Sequence, residues 1–249
     1  MSQAVESFLK FWGRFKPQSP PYVHPDDANF PHLAVFEHSL LPIPFIGDLR
    51  KAEAVILMLN PGLDAEDIAW EKKPAFRTAV ERNLSQVFPN GAFPFFYLDP
   101  QFREHPGAGY WAKSRRIPGN RDQQKLLSVI QELARRDGIC EAAARAHVAC
   151  KVAVVQLVPY HSAELRRRDV FGNLSSVCQA RAFVHDLVGE ESKLVIAARS
   201  VRKWGFAGPQ SGEHLVVYHP AQGKAASLTT RSEGGRALLA RLSYVAARA

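Results

Sequence analysis

Amide and imidazole side chains follow three apolar runs of the sequence, each near the point where the run ends. The first run leads into Asn60-Pro61-Gly62, the second contains Gln156, and the third leads into His219. A side-chain amide offers a donor and an acceptor that could hold a water or read the edge of a ligand. An imidazole could donate a hydrogen bond to an oxygen on which negative charge develops. These residue types predict a polar binding or catalytic site.

The apolar runs predict the strands that would position these residues. Residues 54–59 read AVILML, and similar runs cover 152–158, 194–198 and 215–218. Continuous apolar runs of this length are typical of strands covered on both faces. We therefore predict a sheet of about four strands.

Helical stripes lie between or after these runs and predict the layers that cover the sheet. The apolar residues that recur at helical spacing are Phe76, Val80, Leu84 and Val87; Leu126, Leu127, Ile130 and Leu133; Phe183, Val184 and Leu187; and Leu238, Leu239, Leu242 and Val245. Strands that alternate with helices indicate an α/β fold with a short, mostly parallel sheet. Ligands of such sheets bind beyond the carboxyl ends of the strands, where the amides and imidazoles lie.

The alternative is that Asn-Pro-Gly and His-Pro are only turn formers. Either motif alone would favour that interpretation. Two such motifs in one chain, each directly after a predicted buried strand, favour a site.

The chain is predicted to be one domain, residues 1–249, in which residues 1–47 form a proline-rich arm packed on the core. A short helix is expected over residues 3–12. Residues 17–44 contain seven prolines, which exclude a long helix or a central strand there. Apolar side chains such as Phe30 and Phe36 favour an ordered arm over a disordered tail.

The positive charge is concentrated in one half of the chain. The net charge is +8, and it divides into −3 over residues 1–112 (10 basic, 13 acidic) and +11 over residues 113–249 (22 basic, 11 acidic). The basic clusters include Arg115 and Arg116, and Arg166 and Arg167. Such clusters attract phosphate and predict DNA as a partner. The alternative is that these arginines are only solvated surface residues.

Other patterns exclude several classes of protein. Cys140, Cys150 and Cys178 form no CxxC pair, which argues against a zinc ribbon or a disulfide framework and predicts buried free thiols in a reducing cytoplasm. No apolar run approaches the roughly 20 residues that span a bilayer, and no signal peptide is visible. We predict a cytoplasmic monomer with no membrane partner, no metal and no cofactor.

Five segments together resemble the uracil-DNA glycosylase superfamily. AVILMLNPGL is similar to its first motif, in the Asn-Pro-Gly version of the mismatch-specific enzymes, and VVYHPAQGKAAS is similar to its second motif. GAFPFFYLDP with Tyr110-Trp111 resembles the aromatic stretch, VAVVQLVPYHS the middle strand, and LVIAARSVRKWG the element before the second motif. The order and spacing fit from about residue 40 to the end. The resemblance implies a three-layer α/β/α fold and metal-free hydrolysis of the N-glycosidic bond of a flipped-out base.

The resemblance also implies roles for individual residues. Asn60 would hold the water and His219 would donate a hydrogen bond to the departing base. The residues expected to bind the base are Pro61, Gly62, Phe93 or Phe95 as a stacking ring, and Gln156. The residues expected to contact DNA are the loop Gln222, Gly223 and Lys224, with Arg115, Arg116, Arg166 and Arg167.

The sequence departs from the family pattern at several of these positions. The most active members have Asp where this chain has Asn60, so water activation should be weaker here. Gln156 is one methylene longer than the usual Asn, which would shift or enlarge the base pocket. Asp64, Glu66 and Asp67 could replace the missing acid, although carboxylates here also suit the start of a helix. His161 could contact the base, or it could be a buried or capping histidine.

The leading hypothesis is a DNA glycosylase that acts on uracil or a related damaged base. The first alternative is a catalytically weak or inactive protein that keeps the fold and binds DNA or a modified base. A further alternative is an enzyme that acts on free nucleosides or another N-glycoside.

Overall fold

The structure is a computed structural model that describes residues 2–112, 125–163, 170–219 and 228–242. The helices in these ranges are α1 Gln3–Trp12, α2 Ala65–Glu71, α3 Pro74–Ser85, α4 Pro106–Ala112, α5 Leu127–Asp137, α6 Glu141–Lys151, α7 Val170–Asn173, α8 Ser175–Glu190 and α9 Glu233–Arg241. The strands are β1 Phe45–Ile46, β2 Ala54–Met58, β3 Val152–Gln156, β4 Leu194–Ala197, β5 Gln210–Ser211 and β6 Leu215–Val217. The chain is therefore α/β, as the sequence predicts.

The strands form one sheet in the order β1-β3-β2-β4-β6-β5. The four central strands are parallel and coincide with the four apolar runs. β1 and β5 are two-residue strands that pair antiparallel with β3 and β6 at the edges. The prediction of about four strands is wrong for this reason: two residues are too few to display the period or the apolar run of a strand.

Helices cover the sheet because its central strands are buried throughout. Every residue of β2, β3 and β4 is buried, which requires cover on both faces. α8 packs against α1 and β4, while α9 packs against β4, β6 and α5. The third predicted stripe lies in α8, but the first extends too far: α3 ends at Ser85, Gln86 is left-handed at φ +53°, and Val87 is 63% exposed.

A buried hydrogen-bond network joins the amino-terminal arm to the sheet. The hydroxyl of Tyr160, which lies just beyond β3, donates to Asp27 Oδ2 at 2.6 Å and accepts from the His24 backbone N–H at 3.0 Å. Asp27 Oδ1 accepts from the backbone N–H of Ser176, in the first turn of α8, at 2.9 Å. Apolar side chains of the arm also enter the core: Tyr22, Phe30, Phe36, Leu41 and Ile43. The arm is therefore fixed against the carboxyl end of β3 and the start of α8.

Tyr160→Phe is expected to lower the free energy of unfolding by about 1–3 kcal/mol, because it leaves both the Asp27 carboxylate and the His24 N–H short of a buried partner. Tyr22→Phe is the matched control. The Tyr22 hydroxyl accepts from Arg77, which also donates to Glu81 and so keeps a partner. Urea denaturation of both variants measures the difference. Equal losses would contradict the role assigned to Tyr160.

The three cysteines are free, but they are exposed and not buried as the sequence predicts. The helices that carry them turn other residues to the core: Ala144, Val148 and Ala149 in α6, and Val177 and Ala180 in α8. In the part of the chain that the structure describes, no helix is long and apolar enough to cross a membrane.

Candidate active site

A cavity of about 470 Å³ opens at the carboxyl edge of the sheet. Its walls come from the ends of β2 and β3, the segment after β4, α2 and α4. The four residues that the sequence assigns to the water and the base, other than the aromatic rings and His219, line it together: Asn60, Pro61, Gly62 and Gln156. The position is the one expected for a ligand of a parallel sheet, and the size suits a small organic ligand.

The Asn60 amide has a fixed orientation. Its Nδ2 donates to the backbone oxygen of Pro61 at 2.6 Å and to Ser162, whose Oγ and backbone oxygen lie at 3.1 and 3.3 Å. Because carbonyl oxygens only accept, the nitrogen of the amide must be the atom that faces them. Oδ1, the other polar atom of the Asn60 amide, accepts no hydrogen bond from a residue that the structure describes. Asn60 therefore offers an acceptor to a water in the cavity.

Gln156 lies at the carboxyl end of β3, beside Met58 of β2. The residue is only 7% exposed, yet its Oε1 has no hydrogen-bond partner among the described residues. A buried amide oxygen without a partner costs roughly 1–3 kcal/mol. A ligand that donates an N–H to this oxygen would remove that cost, so Gln156 is suited to read the edge of a base.

The aromatic rings at the cavity are not those selected from the sequence. Phe95 is fully buried and packs edge-on against Trp111, with ring centroids 5.2 Å apart. Phe93 lines a second cavity of about 450 Å³, formed by α3 and the segment that follows it. The rings that line the first cavity are instead Tyr97, Tyr110 and Trp111. Neither Phe93 nor Phe95 is therefore placed to stack on a base held beside Asn60.

One of the rings at the cavity, Tyr97, belongs to the aromatic stretch that also contains Phe93 and Phe95. In an extended segment, alternate residues such as Phe93, Phe95 and Tyr97 would share a face. The structure has a 3₁₀ turn over Phe96–Leu98, which breaks that alternation and brings Tyr97 to the cavity. Tyr97 packs on Gly107 so closely that a Cβ there would lie 2.4 Å from the ring. Because Gly107 has no side chain, the Tyr97 ring has room to form part of the cavity wall.

His161 is a buried structural histidine next to the cavity. Its Nδ1 lies 3.1 Å from the Gly62 backbone oxygen, and its Nε2 lies 3.0 Å from Glu71 Oε2 and 3.2 Å from the Leu41 backbone oxygen. Both nitrogens face acceptors, so both must carry hydrogen and the ring is a cation. Burial alone would lower the pKa of His161, but the Glu71 carboxylate and the two carbonyls raise it overall. The ion pair holds the Gly62 turn against α2 and the arm.

Asp64 and Asp67 begin α2 as a capping box. Asp64 Oδ1 accepts from the Asp67 N–H at 2.9 Å, and Asp67 Oδ2 accepts from the Asp64 N–H at 3.1 Å. Both residues also line the cavity, with Glu66 and Glu71. Burial and the neighbouring charges of Asp64 and Glu71 raise the pKa of Asp67 to about 6. Asp64 and Asp67 therefore both cap the start of α2 and line the cavity.

Arg199 was not selected from the sequence, although it directly follows the apolar run of β4. It is exposed and lines the cavity from the strand next to β2. Two groups beside it respond to its charge. Burial raises the pKa of Tyr110 while Arg199 opposes the rise, and burial together with Arg199 lowers the pKa of Lys125 to about 8. Arg199 therefore marks a cationic rim on an otherwise acidic cavity.

His219 lies at the same edge of the sheet but farther away. The register of β2, β4 and β6 pairs Ile56 with Ile196 and Ile196 with Val216. Continuing it puts His219 level with Leu59, two strands away, about 10 Å across the sheet. His219 is exposed and does not line the described part of the cavity. The predicted DNA-contact residues lie outside the described residues: Gln222, Gly223, Lys224, Arg115, Arg116, Arg166 and Arg167.

Comparisons with protein-family models, with curated proteins and with solved structures found no match. Among the residues that the structure describes, no group of three or more His, Cys, Asp or Glu is arranged to hold a metal ion. The interpretation of the cavity therefore depends on the geometry of its own side chains.

Proposed function

We propose that the chain is a DNA glycosylase-like hydrolase that captures a flipped-out uracil or related damaged base and cleaves its N-glycosidic bond. It would act as a monomer with the three-layer α/β/α architecture of the uracil-DNA glycosylase superfamily. One observation carries the proposal: two side-chain amides, those of Asn60 and Gln156, lie in one cavity at the carboxyl edge of the sheet, each with an oxygen that no described residue pairs.

The two amides suit two parts of the reaction. Asn60 Oδ1 would accept a hydrogen bond from the attacking water and hold it toward the sugar carbon. Gln156 would hydrogen-bond the edge of the base from the neighbouring strand. His219 would donate to a carbonyl of the departing base, which requires the base to extend from Asn60 toward the end of β6. Tyr97, Tyr110 or Trp111 would supply the stacking ring in place of Phe93 and Phe95.

A protein with the same site that binds a modified base without cleaving it is the second candidate. The observation that favours it is the neutral amide at position 60. Asn60 can orient a water, but it is too weak a base to take a proton from it. If no other group takes that proton, capture of the base would not lead to hydrolysis.

A cleavage panel separates the two candidates. Single-stranded and duplex oligonucleotides would each carry one uracil, mismatched thymine, hypoxanthine, xanthine or alkylated base, and release of the base would be followed under single-turnover conditions. Release of any of them supports the hydrolase. Tight binding of a modified base with no release would favour the binding protein. If no base is released and no modified base is bound selectively, both candidate functions are overturned.

DNA affinity is expected to fall steeply with salt. If about four of the basic residues near 115 and 166 meet phosphates, log K against log salt should slope near −3 to −4, because each contact releases condensed counterions. Fluorescence anisotropy with a labelled duplex between low and moderate salt measures the slope. A flat dependence, or no binding at low salt, would argue against any role on DNA.

A further inference from the structure

We infer that the base taken into the cavity is a purine alkylated at a ring nitrogen, which carries a positive charge, and this inference rests on the proposed function. Asp64, Glu66 and Asp67 line the cavity, Asp67 half-buried and the other two exposed to solvent, and none of the three forms an ion pair with a residue that the structure describes. Glu71 is a fourth acidic residue of the lining, and its charge is paired with the His161 cation. Arg199 is the single Lys or Arg among the described lining residues.

This charge pattern disfavours a base that leaves as an anion. Uracil departs with negative charge on its ring nitrogen, and each unpaired carboxylate nearby would raise the energy of that charge. Burial, and after it the charges of Asp64 and Glu71, raise the pKa of Asp67, so negative charge is already disfavoured at this wall of the cavity. With a cationic base the interaction becomes attractive, because the same carboxylates then stabilise the bound substrate.

The neutral groups of the cavity fit the same ligand. Gln156 Oε1 is more than nine-tenths buried and unpartnered among the described residues, so it requires a donor, and the N–H groups of a purine edge supply one. Tyr97, Tyr110 and Trp111 line the cavity, and aromatic faces attract cations. A volume of about 470 Å³ also leaves room for a two-ring base with an added alkyl group.

The chemistry of a cationic base needs less from the protein. The water oxygen forms a bond to the sugar C1′ while the C1′–N9 bond breaks, and its electron pair moves to the purine. That pair cancels the positive charge of the base, which leaves neutral. One proton of the water is lost, and Asp67 is the cavity carboxylate suited to accept it. Asn60 then has only to position the water, which matches what an amide can do.

Binding of nucleosides tests the charge preference apart from cleavage. The probes are 1-methyladenosine, a cation at neutral pH, and adenosine, which is neutral, measured by titration calorimetry at pH 7.5. The cation is expected to bind at least about tenfold more tightly to the wild type. Asp67→Asn is expected to lower affinity for the cation about tenfold and to leave that for adenosine nearly unchanged. Asparagine keeps the capping acceptor, and Glu132→Gln on α5 repeats the charge change away from the cavity.

The outcomes separate this inference from the proposed function. Equal binding of the two nucleosides, or an equal loss for both in Asp67→Asn, would overturn the preference for a cation. The wild-type protein is expected to release 7-methylguanine from an oligonucleotide faster than it releases uracil from an oligonucleotide of the same sequence. If uracil is released and 7-methylguanine is not, the inference fails while the glycosylase stands. If 1-methyladenosine binds selectively but no base is released, the inference stands and hydrolysis fails.

Discussion

Asn60→Ala is expected to lower the single-turnover rate of base release about 10²–10³-fold while DNA affinity changes by only a fewfold. The amide would position the attacking water, an interaction that counts mainly in the transition state, so its loss lowers the rate more than binding. The magnitude is that of losing one preorganised polar group at a reacting centre. His219→Ala is expected to show the same separation of rate from affinity. Rapid-quench kinetics and anisotropy on one substrate measure the two quantities.

Ser162→Ala is the matched control for Asn60. Its Oγ accepts one of the hydrogen bonds that hold the Asn60 amide, so its removal loosens the amide without deleting it. The loss of rate should therefore be clearly smaller than for Asn60→Ala. If wild type, Asn60→Ala and His219→Ala release the base equally fast, the assignment of the site is wrong.

The structure also explains why aspartate would not improve position 60. An oxygen in the place of Nδ2 would face the backbone oxygens of Pro61 and Ser162 with no hydrogen to donate. A carboxylate there would be repelled by both, and would ionise only by turning away from them. The surroundings of Asn60 therefore favour an amide, and the proposed hydrolysis would need a proton acceptor elsewhere in the cavity. Asp67 is the carboxylate whose raised pKa and position suit that role.

The central strands could be predicted because burial on both faces imposes a continuous apolar run. That signal located β2, β3, β4 and β6, and with them the edge of the sheet at which the cavity opens. The same rule placed Asn60 and Gln156 at one cavity, since strand ends that are parallel and adjacent must meet. The same rule applies to Arg199, which follows β4 directly, although a guanidinium is neither an amide nor an imidazole.

The rest of the site depends on contacts that sequence patterns do not encode. Tyr97 reaches the cavity through a 3₁₀ turn and the absence of a side chain at Gly107. The two-residue strands β1 and β5 exist only because a longer neighbour offers them hydrogen bonds. Glu71 and His161 are 90 residues apart and meet only after α2 and the end of β3 have packed. A role in an ion pair was therefore not visible for either residue.

Glu71→Gln is expected to lower the free energy of unfolding by about 3–5 kcal/mol at pH 6, because it removes one partner of a buried ion pair and leaves the His161 cation without its counter-charge. The side chains of Glu71 and His161 are 5% and 1% exposed, so solvent screens the uncompensated charge only weakly. Glu81→Gln on α3 is the control. Glu81 pairs with Arg77 at a half-exposed position, where such a pair contributes at most about 1 kcal/mol. Urea denaturation gives both values.

The pH dependence distinguishes this ion pair from ordinary packing. The pKa of His161 is raised in the folded protein, so its contribution to stability is complete below its ordinary value and is lost as pH rises through the raised value. In Glu71→Gln the raising charge is absent, burial dominates, and the folded state disfavours the cation. The difference in stability between wild type and variant should therefore be largest at low pH and shrink toward alkaline pH. A difference that is constant with pH would show that Glu71 acts through packing, and that His161 is neutral when folded.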